Sequence, residues 1–166
     1  MEADRPRADF RLQLATGLGL GRSPIAPGTV GTLGGLPFAW AIAHLPHVGF
    51  QVAAILVLCG VGVPICTYAV RHLERKDPGC VVWDEIASLP ITFFLVPLES
   101  WSRPGVVLAG FLLNRLFDIT KPPPARQMEH WPEGLGVMAD DWVAGVYSCL
   151  ALHAMLQWVL PRFGGG

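Results

Sequence analysis

Apolar positions along this chain fall into five runs rather than an alternating pattern. Gly49 to Val70 carries no charged residue across 22 positions, and Trp142 to Leu160 none across 19. Each is close to the roughly 20 apolar residues that cross a bilayer core. Three shorter runs, Gly34 to Val48, Ile86 to Leu98 and Gly105 to Leu113, have the length of buried core helices, re-entrant pieces or tilted spans. Pro46 separates the first short run from the Gly49 span, and Glu99 to Pro104 separates the second from the third. The strand period of two is rare along the chain, so the pattern predicts an all-α fold. The expected architecture is a multihelical integral membrane bundle of two helical hairpins plus a C-terminal helix, in one domain over residues 1–166. A competing layout places the short runs in a globular helical core beside only two spans.

Composition favours the membrane layout. Apolar residues make up 52% of the chain and charged residues 15%, with a mean hydropathy of +0.44. An average globular chain carries about 25% charged residues. With an N-terminus in the cytoplasm, Arg5, Arg7, Arg11, Arg22, Arg71, Arg75, Lys76, Arg115, Lys121 and Arg126 fall inside, and only Arg103 and Arg162 outside. That asymmetry is what the positive-inside rule describes. The first 22 residues mix Arg5, Arg7 and Arg11 with Glu2, Asp4 and Asp9 and lack the apolar core of a signal peptide. A net charge of −1 gives no sign of a nucleic-acid partner. The cysteines Cys59, Cys66, Cys80 and Cys149 show no C-x-x-C spacing, so neither a zinc site nor a disulfide framework is expected. The sequence carries no signal of oligomeric state.

The acidic residues carry the chemistry. Asp84, Glu85, Asp118, Asp140 and Asp141 all sit at the edges of apolar runs, and the layout above puts all five at the cytoplasmic ends of helices. A carboxylate beside hydrocarbon is costly unless it is paired, hydrated or metal-bound. Asp84 and Glu85 open a helix, so they read either as a cap and a first-turn acid or as hard oxygen ligands for Mg²⁺. Asn114 and Asp118 are four apart and share a helix face. Arg115 and Asp118 form either an ordinary surface pair or, with Lys121, a phosphate cradle beside a metal. Asp140 and Asp141 diverge by about 100° on a helix, so one ligates while the other orients water or caps. Gly17 to Gly35 is a glycine-rich, hydroxyl-bearing stretch without the G-K-[ST] of a phosphate loop. It reads as a flexible membrane-entry turn, or as close backbone approach with Thr29 or Thr32 capping a helix whose N-terminus suits an anion. His44, His47, His130 and His153 read as structural, and the six tryptophans as interface belts.

In order and spacing these segments resemble the phosphatidylglycerophosphatase A family over nearly the whole chain. The resemblance rests on Pro27-Gly28-Thr29 with Gly31-Thr32, on Trp83-Asp84-Glu85, and on Arg115-Leu116-Phe117-Asp118-Ile119 with Lys121-Pro122. The last matching block is Met138-Ala139-Asp140-Asp141 with Ala144-Gly145. It implies a Mg²⁺-dependent, multi-pass enzyme of the bacterial inner membrane with its active site on the cytoplasmic side. Such an enzyme hydrolyses phosphatidylglycerophosphate to phosphatidylglycerol and inorganic phosphate. The catalytic set it implies is Asp84, Glu85, Asp118, Asp140 and Asp141, with Asp84, Glu85, Asp118 and Asp141 on the metal. Thr29, Thr32, Arg115 and Lys121 then lie near the phosphate. Two positions depart from the family pattern: Ser88 follows Ala87 where a glycine is expected, and Asn114 stands in place of an aromatic.

No D-x-D-x-[TV] start and no C-x5-R loop is present, so covalent catalysis is not indicated, and a metal-activated water is the expected nucleophile. The rival readings are a phosphatase for another lipid phosphate, a small transporter with a carboxylate cation site, and a non-catalytic scaffold. The transporter reading requires acids through the depth of the bilayer, and the two clean spans contain none.

Overall fold

The computed structural model describes residues 9–158, so Arg5, Arg7 and Arg162 lie outside the described residues. Eight α-helices follow in order: α1 (Phe10–Ala15), α2 (Pro27–Ala43), α3 (Val48–Leu73), α4 (Trp83–Thr92), α5 (Leu98–Trp101), α6 (Pro104–Thr120), α7 (Ala125–Met128) and α8 (Glu133–Trp158). A 3₁₀ segment, Gly17–Arg22, joins α1 to α2. Among the described residues there is no strand, as the absence of alternation predicts.

Several helices begin earlier than their apolar runs. α8 starts at Glu133, so Asp140 and Asp141 lie well inside it and neither is a cap. Val82 takes the N-cap position of α4, which leaves Asp84 and Glu85 in the first turn. Ala26 occupies the N-cap of α2, so Thr29 and Thr32 do not cap; Thr32 instead turns its hydroxyl onto the Gly28 carbonyl at 2.9 Å. The glycine-rich stretch from Gly28 onward is therefore helix rather than a flexible turn.

The two expected hairpins are present as connections but not as packed pairs. α2 lies mainly on α4, and α3 on α8, while α2 and α3 touch little beyond their turn. Side-chain size is the reason. α2 offers α4 a glycine stripe, where a Cβ at Gly35 would stand 2.7 Å from the Ile86 carbonyl oxygen and 2.9 Å from Leu89 Cβ. From the opposite side, a Cβ on Gly145 of α8 would lie 2.9 Å from the Ser88 carbonyl oxygen. Small residues let backbones come this close, so α4 is clamped between α2 and α8 while α2's Leu33, Phe38 and Trp40 face outward. Ten residues long, α4 reaches about 15 Å and does not itself cross a bilayer.

Two helices, α3 and α8, are long and apolar enough to cross a membrane. Only 17% of the most apolar stretch of α3 is buried, against 56% of α8, so α3 is peripheral and α8 central. Leu56, Val57 and Val61 on α3, Leu108 and Leu112 on α6, and Leu150 on α8 leave an apolar exterior. Arg71, Arg75, Lys76, Arg115, Lys121 and Arg126 stand at the end where α3 and α6 finish and α8 begins, and Arg103 opens α6 at the other. The tryptophans divide: Trp40, Trp131 and Trp158 are exposed. Trp83 instead packs inward and donates to the Leu58 carbonyl at 3.3 Å, and Trp101 packs at a tilt against Phe93 with ring centroids 4.6 Å apart. His44, His130 and His153 each donate Nδ1–H to the carbonyl four residues earlier, which accounts for them structurally.

Candidate active site

At the end of the bundle where those basic residues gather, the starts of α2, α4 and α8 and the end of α6 surround a cavity of about 720 Å³. Asp84, Glu85, Asp118, Asp140 and Asp141 all line it, together with Thr29, Arg115 and Lys121. Thr32 is fully buried just behind the wall and touches the site through Arg115. Residues up to 112 positions apart in the chain, from Thr29 to Asp141, thus meet in one place.

Arg115 is the hub of the near side. Its Nη1 donates to Thr32 Oγ1 at 3.1 Å, lies 2.8 Å from Asp118 Oδ2, and stands 3.7 Å from Glu85 Oε1. The Arg115–Asp118 contact is not the solvated surface pair that spacing alone allows, because both side chains are only 15% exposed. Glycine makes the arrangement possible. A Cβ at Gly28 would collide with Glu85 Oε1 and lie 3.0 Å from Arg115 Nη2, and one at Gly31 would come within 3.2 Å of Glu85 Oε2.

Lys121 serves the far side from the C-cap of α6, where Pro122 ends the helix. Its φ of 44° puts a non-glycine residue in the left-handed region, with its backbone N–H donating to the Phe117 carbonyl at 2.9 Å. Nζ reaches Asp140 Oδ2 at 2.7 Å and also pairs with Glu129. Burial alone lowers the ammonium pKa, but the carboxylates of Asp140 and Glu129 more than offset it and hold Lys121 charged well above its ordinary range.

The acids outnumber the cations that answer them. Asp84 Oδ1, Glu85 Oε2, Asp140 Oδ1 and Asp141 Oδ2 are buried and have no hydrogen-bond partner. Burial, then the neighbouring Glu85 charge, pushes the Asp84 carboxyl well above the usual range. Burial likewise raises Glu85 to about 7, against the lowering pull of Arg115. Four orphaned carboxylate oxygens from α4 and α8 form a donor set suited to a hard divalent cation. Among the described residues no three His, Cys, Asp or Glu side chains stand close enough to hold an ion unaided. Carboxylate oxygens are the donor type that Mg²⁺ takes, and that ion ordinarily keeps several of its waters.

This electrostatics carries a pH dependence. A carboxylate must lose its proton to ligate, so a cation held through Glu85 would bind less tightly as pH drops through the range near 7 where Glu85 gains its proton. The Mg²⁺ concentration giving half-maximal activity is expected to rise roughly tenfold per pH unit for each proton displaced below about pH 7. Steady-state Mg²⁺ titrations between pH 6 and 8 measure this, and a pH-independent midpoint would contradict it.

Other residues at the cavity had no marker in the sequence. Glu129, Glu133, Lys76 and Asp77 line it from loops or from the first turn of α8. Glu129 follows Lys121 across a proline turn, and no periodicity links them. At the rim Arg71 holds Glu133 through two bonds of 2.8 Å, and Tyr147 of α8 donates to the Pro123 carbonyl at 2.7 Å, fixing the turn after Lys121.

Comparison with known proteins identifies the family. The family model described as "PgpA: Phosphatidylglycerophosphatase A" matches residues 13–156, which include every residue named at the site. The Escherichia coli protein named phosphatidylglycerophosphatase A is 38% identical over 141 residues, covering 84% of this chain and 80% of its own. A Haemophilus influenzae protein of the same name is 35% identical over 148 residues, covering 89% of each. A Bacteroides thetaiotaomicron relative, provisionally named a phosphatidylinositol-3-phosphatase, is 39% identical over 156 residues, covering 89% of this chain and 93% of its own. No solved structure matches the chain. With its whole acidic and basic constellation inside the matched segment, this chain belongs to the phosphatidylglycerophosphatase A family of phosphatases.

Proposed function

We propose that the protein is a Mg²⁺-dependent, multi-pass enzyme of the bacterial inner membrane that hydrolyses phosphatidylglycerophosphate to phosphatidylglycerol and inorganic phosphate at the cytoplasmic face. The observation that carries this reading is the pairing, in one cavity, of two fixed cations with four unanswered carboxylate oxygens. The cations suit a phosphate dianion and the oxygens suit a metal, and a phosphoryl group bridges such halves. The membrane assignment is supported by the two long apolar helices, by the apolar exterior, and by basic residues gathered at the cavity end.

Each side chain then has a part. Arg115 presents a planar fork to two phosphoryl oxygens, and Lys121 supplies a point charge from the opposite wall. Asp118 and Thr32 hold the Arg115 guanidinium in place, and Asp140 does the same for Lys121. Asp84, Glu85 and Asp141, each with an unpartnered oxygen, would hold Mg²⁺ together with Asp118, whose Oδ2 also faces Arg115, and Thr29 lies at the phosphate edge of the cavity. Bound there, the cation supplies charge neutralisation and a lowered water pKa for in-line attack. The apolar exterior of the bundle would keep the diacylglycerol part in lipid while the head group reaches the cavity.

Phosphate release from phosphatidylglycerophosphate by purified protein tests the reading, with Mg²⁺ and with excess chelator. Release with the metal and at least a hundredfold less without it is expected, on the scale of removing a metal's charge from a transition state. No release in either condition would end the phosphatase reading. The Bacteroides relative's name favours a second reading, in which another lipid phosphate is the preferred substrate. Competition between phosphatidylglycerophosphate and phosphatidylinositol 3-phosphate separates the two.

A further inference from the structure

The helices that carry the two halves of the site are joined by a buried polar cluster that the reaction above does not use. Asn114 of α6 is completely buried, and its Nδ2 donates to Ser88 Oγ at 3.3 Å and to Thr92 Oγ1 at 3.0 Å, both on α4. Ser88 Oγ in turn donates to the Glu85 carbonyl at 3.2 Å. Asn114 Oδ1 has neither a donor nor access to solvent.

Fold stability does not account for this cluster. A buried amide with one unanswered oxygen carries a desolvation cost, and apolar groups of the same shape are commonly neutral or better. Its position has another consequence. Outside this cluster α4 meets α6 mainly near its C-terminal end, where Phe93 at the C-cap packs on Gly110, because α2 and α8 take the broad faces of α4. An apolar seam of that size tolerates sliding, whereas directional hydrogen bonds set one register. Asn114 directly precedes Arg115 and shares a face with Asp118 one turn on, and Ser88 lies one turn after Glu85. The cluster thus ties together the two helical turns that present the anion-binding and carboxylate groups.

We propose that Asn114 and Ser88 are positioning residues whose hydrogen bond fixes α6 against α4, and with it the Arg115 fork against the Asp84–Glu85 carboxylates. The proposal rests on the phosphatase reading of the cavity. Asn114→Leu removes the amide at similar volume. Because a displacement of about 1 Å at a reacting centre costs up to a hundredfold, Asn114→Leu is expected to lower kcat roughly tenfold or more with KM within about twofold. Its melting temperature should equal or exceed that of the wild type. Ser88→Ala should lower kcat in the wild-type background but have little effect in the Asn114→Leu background, where the bond is already absent. Three results would overturn the proposal: kcat unchanged in Asn114→Leu, loss of activity matched by a fall in melting temperature, or independent additive effects of the two substitutions. Absence of phosphate release by the wild type, run in parallel, would overturn the phosphatase reading and this proposal together.

Discussion

Asp84→Asn is expected to lower kcat by about 10³-fold, equivalent to about 4 kcal/mol of transition-state stabilisation, while leaving the protein as stable as before or more so. The side chain is 9% exposed, its Oδ1 has no partner, and none of the ion pairs at the site reaches it. Its charge therefore weakens the fold at neutral pH unless a cation answers it. Asparagine keeps the shape and removes the charge, so activity and stability should move in opposite directions. Steady-state kinetics and thermal unfolding on the same preparation measure both. A variant that keeps full activity, or that loses activity only by unfolding, would remove Asp84 from the catalytic set. Asp141, which is 3% exposed with Oδ2 equally orphaned, should behave alike.

Arg115→Ala should lower kcat/KM by about 10³-fold, and Arg115→Lys by about tenfold to a hundredfold. The guanidinium joins Thr32, Asp118 and Glu85 in a half-buried setting, so alanine removes the phosphate fork and also leaves two carboxylates facing each other. Lysine restores the charge but not the planar two-point geometry. The alanine variant should in addition melt several degrees lower, because Asp118 and Glu85 lose their shared counter-charge, as breaking a half-buried pair does. If lysine were fully active, Arg115 would act as a simple charge and the fork would play no part.

The helical class was legible because long apolar runs without alternation leave few other solutions. Helix starts were less so. Hydropathy registers the apolar part of α8 from Trp142, whereas the helix extends back to Glu133 through a polar, partly buried turn. The acidic pair therefore looked like a boundary feature and proved to be inside the helix. Pairing of helices was illegible for a different reason. Gly28, Gly31 and Gly35 mark a face of α2 built for close approach, but a small-residue face does not name its partner, and chain order suggested α3 where the fold uses α4.

The site was more legible than the packing. Carboxylates beside apolar runs are costly enough to need a reason, and that cost pointed to Asp84, Glu85, Asp118, Asp140 and Asp141, all of which line one cavity. Arg115 and Lys121 stood out by their spacing to Asp118. Glu129 did not, because its bond to Lys121 depends on how the chain turns through Pro122 to Pro124. Asn114 and Ser88 were visible only as departures, and their contact across 26 positions emerges from the approach of α6 to α4.

Anomalous diffraction from crystals grown with Mn²⁺ would test the shared-cation claim most directly. One strong peak inside the cavity, about 2.0–2.3 Å from carboxylate oxygens of α4 and α8 and completed by water, is the expected result. Mn²⁺ bound only outside the cavity, in protein that still releases phosphate, would contradict the account.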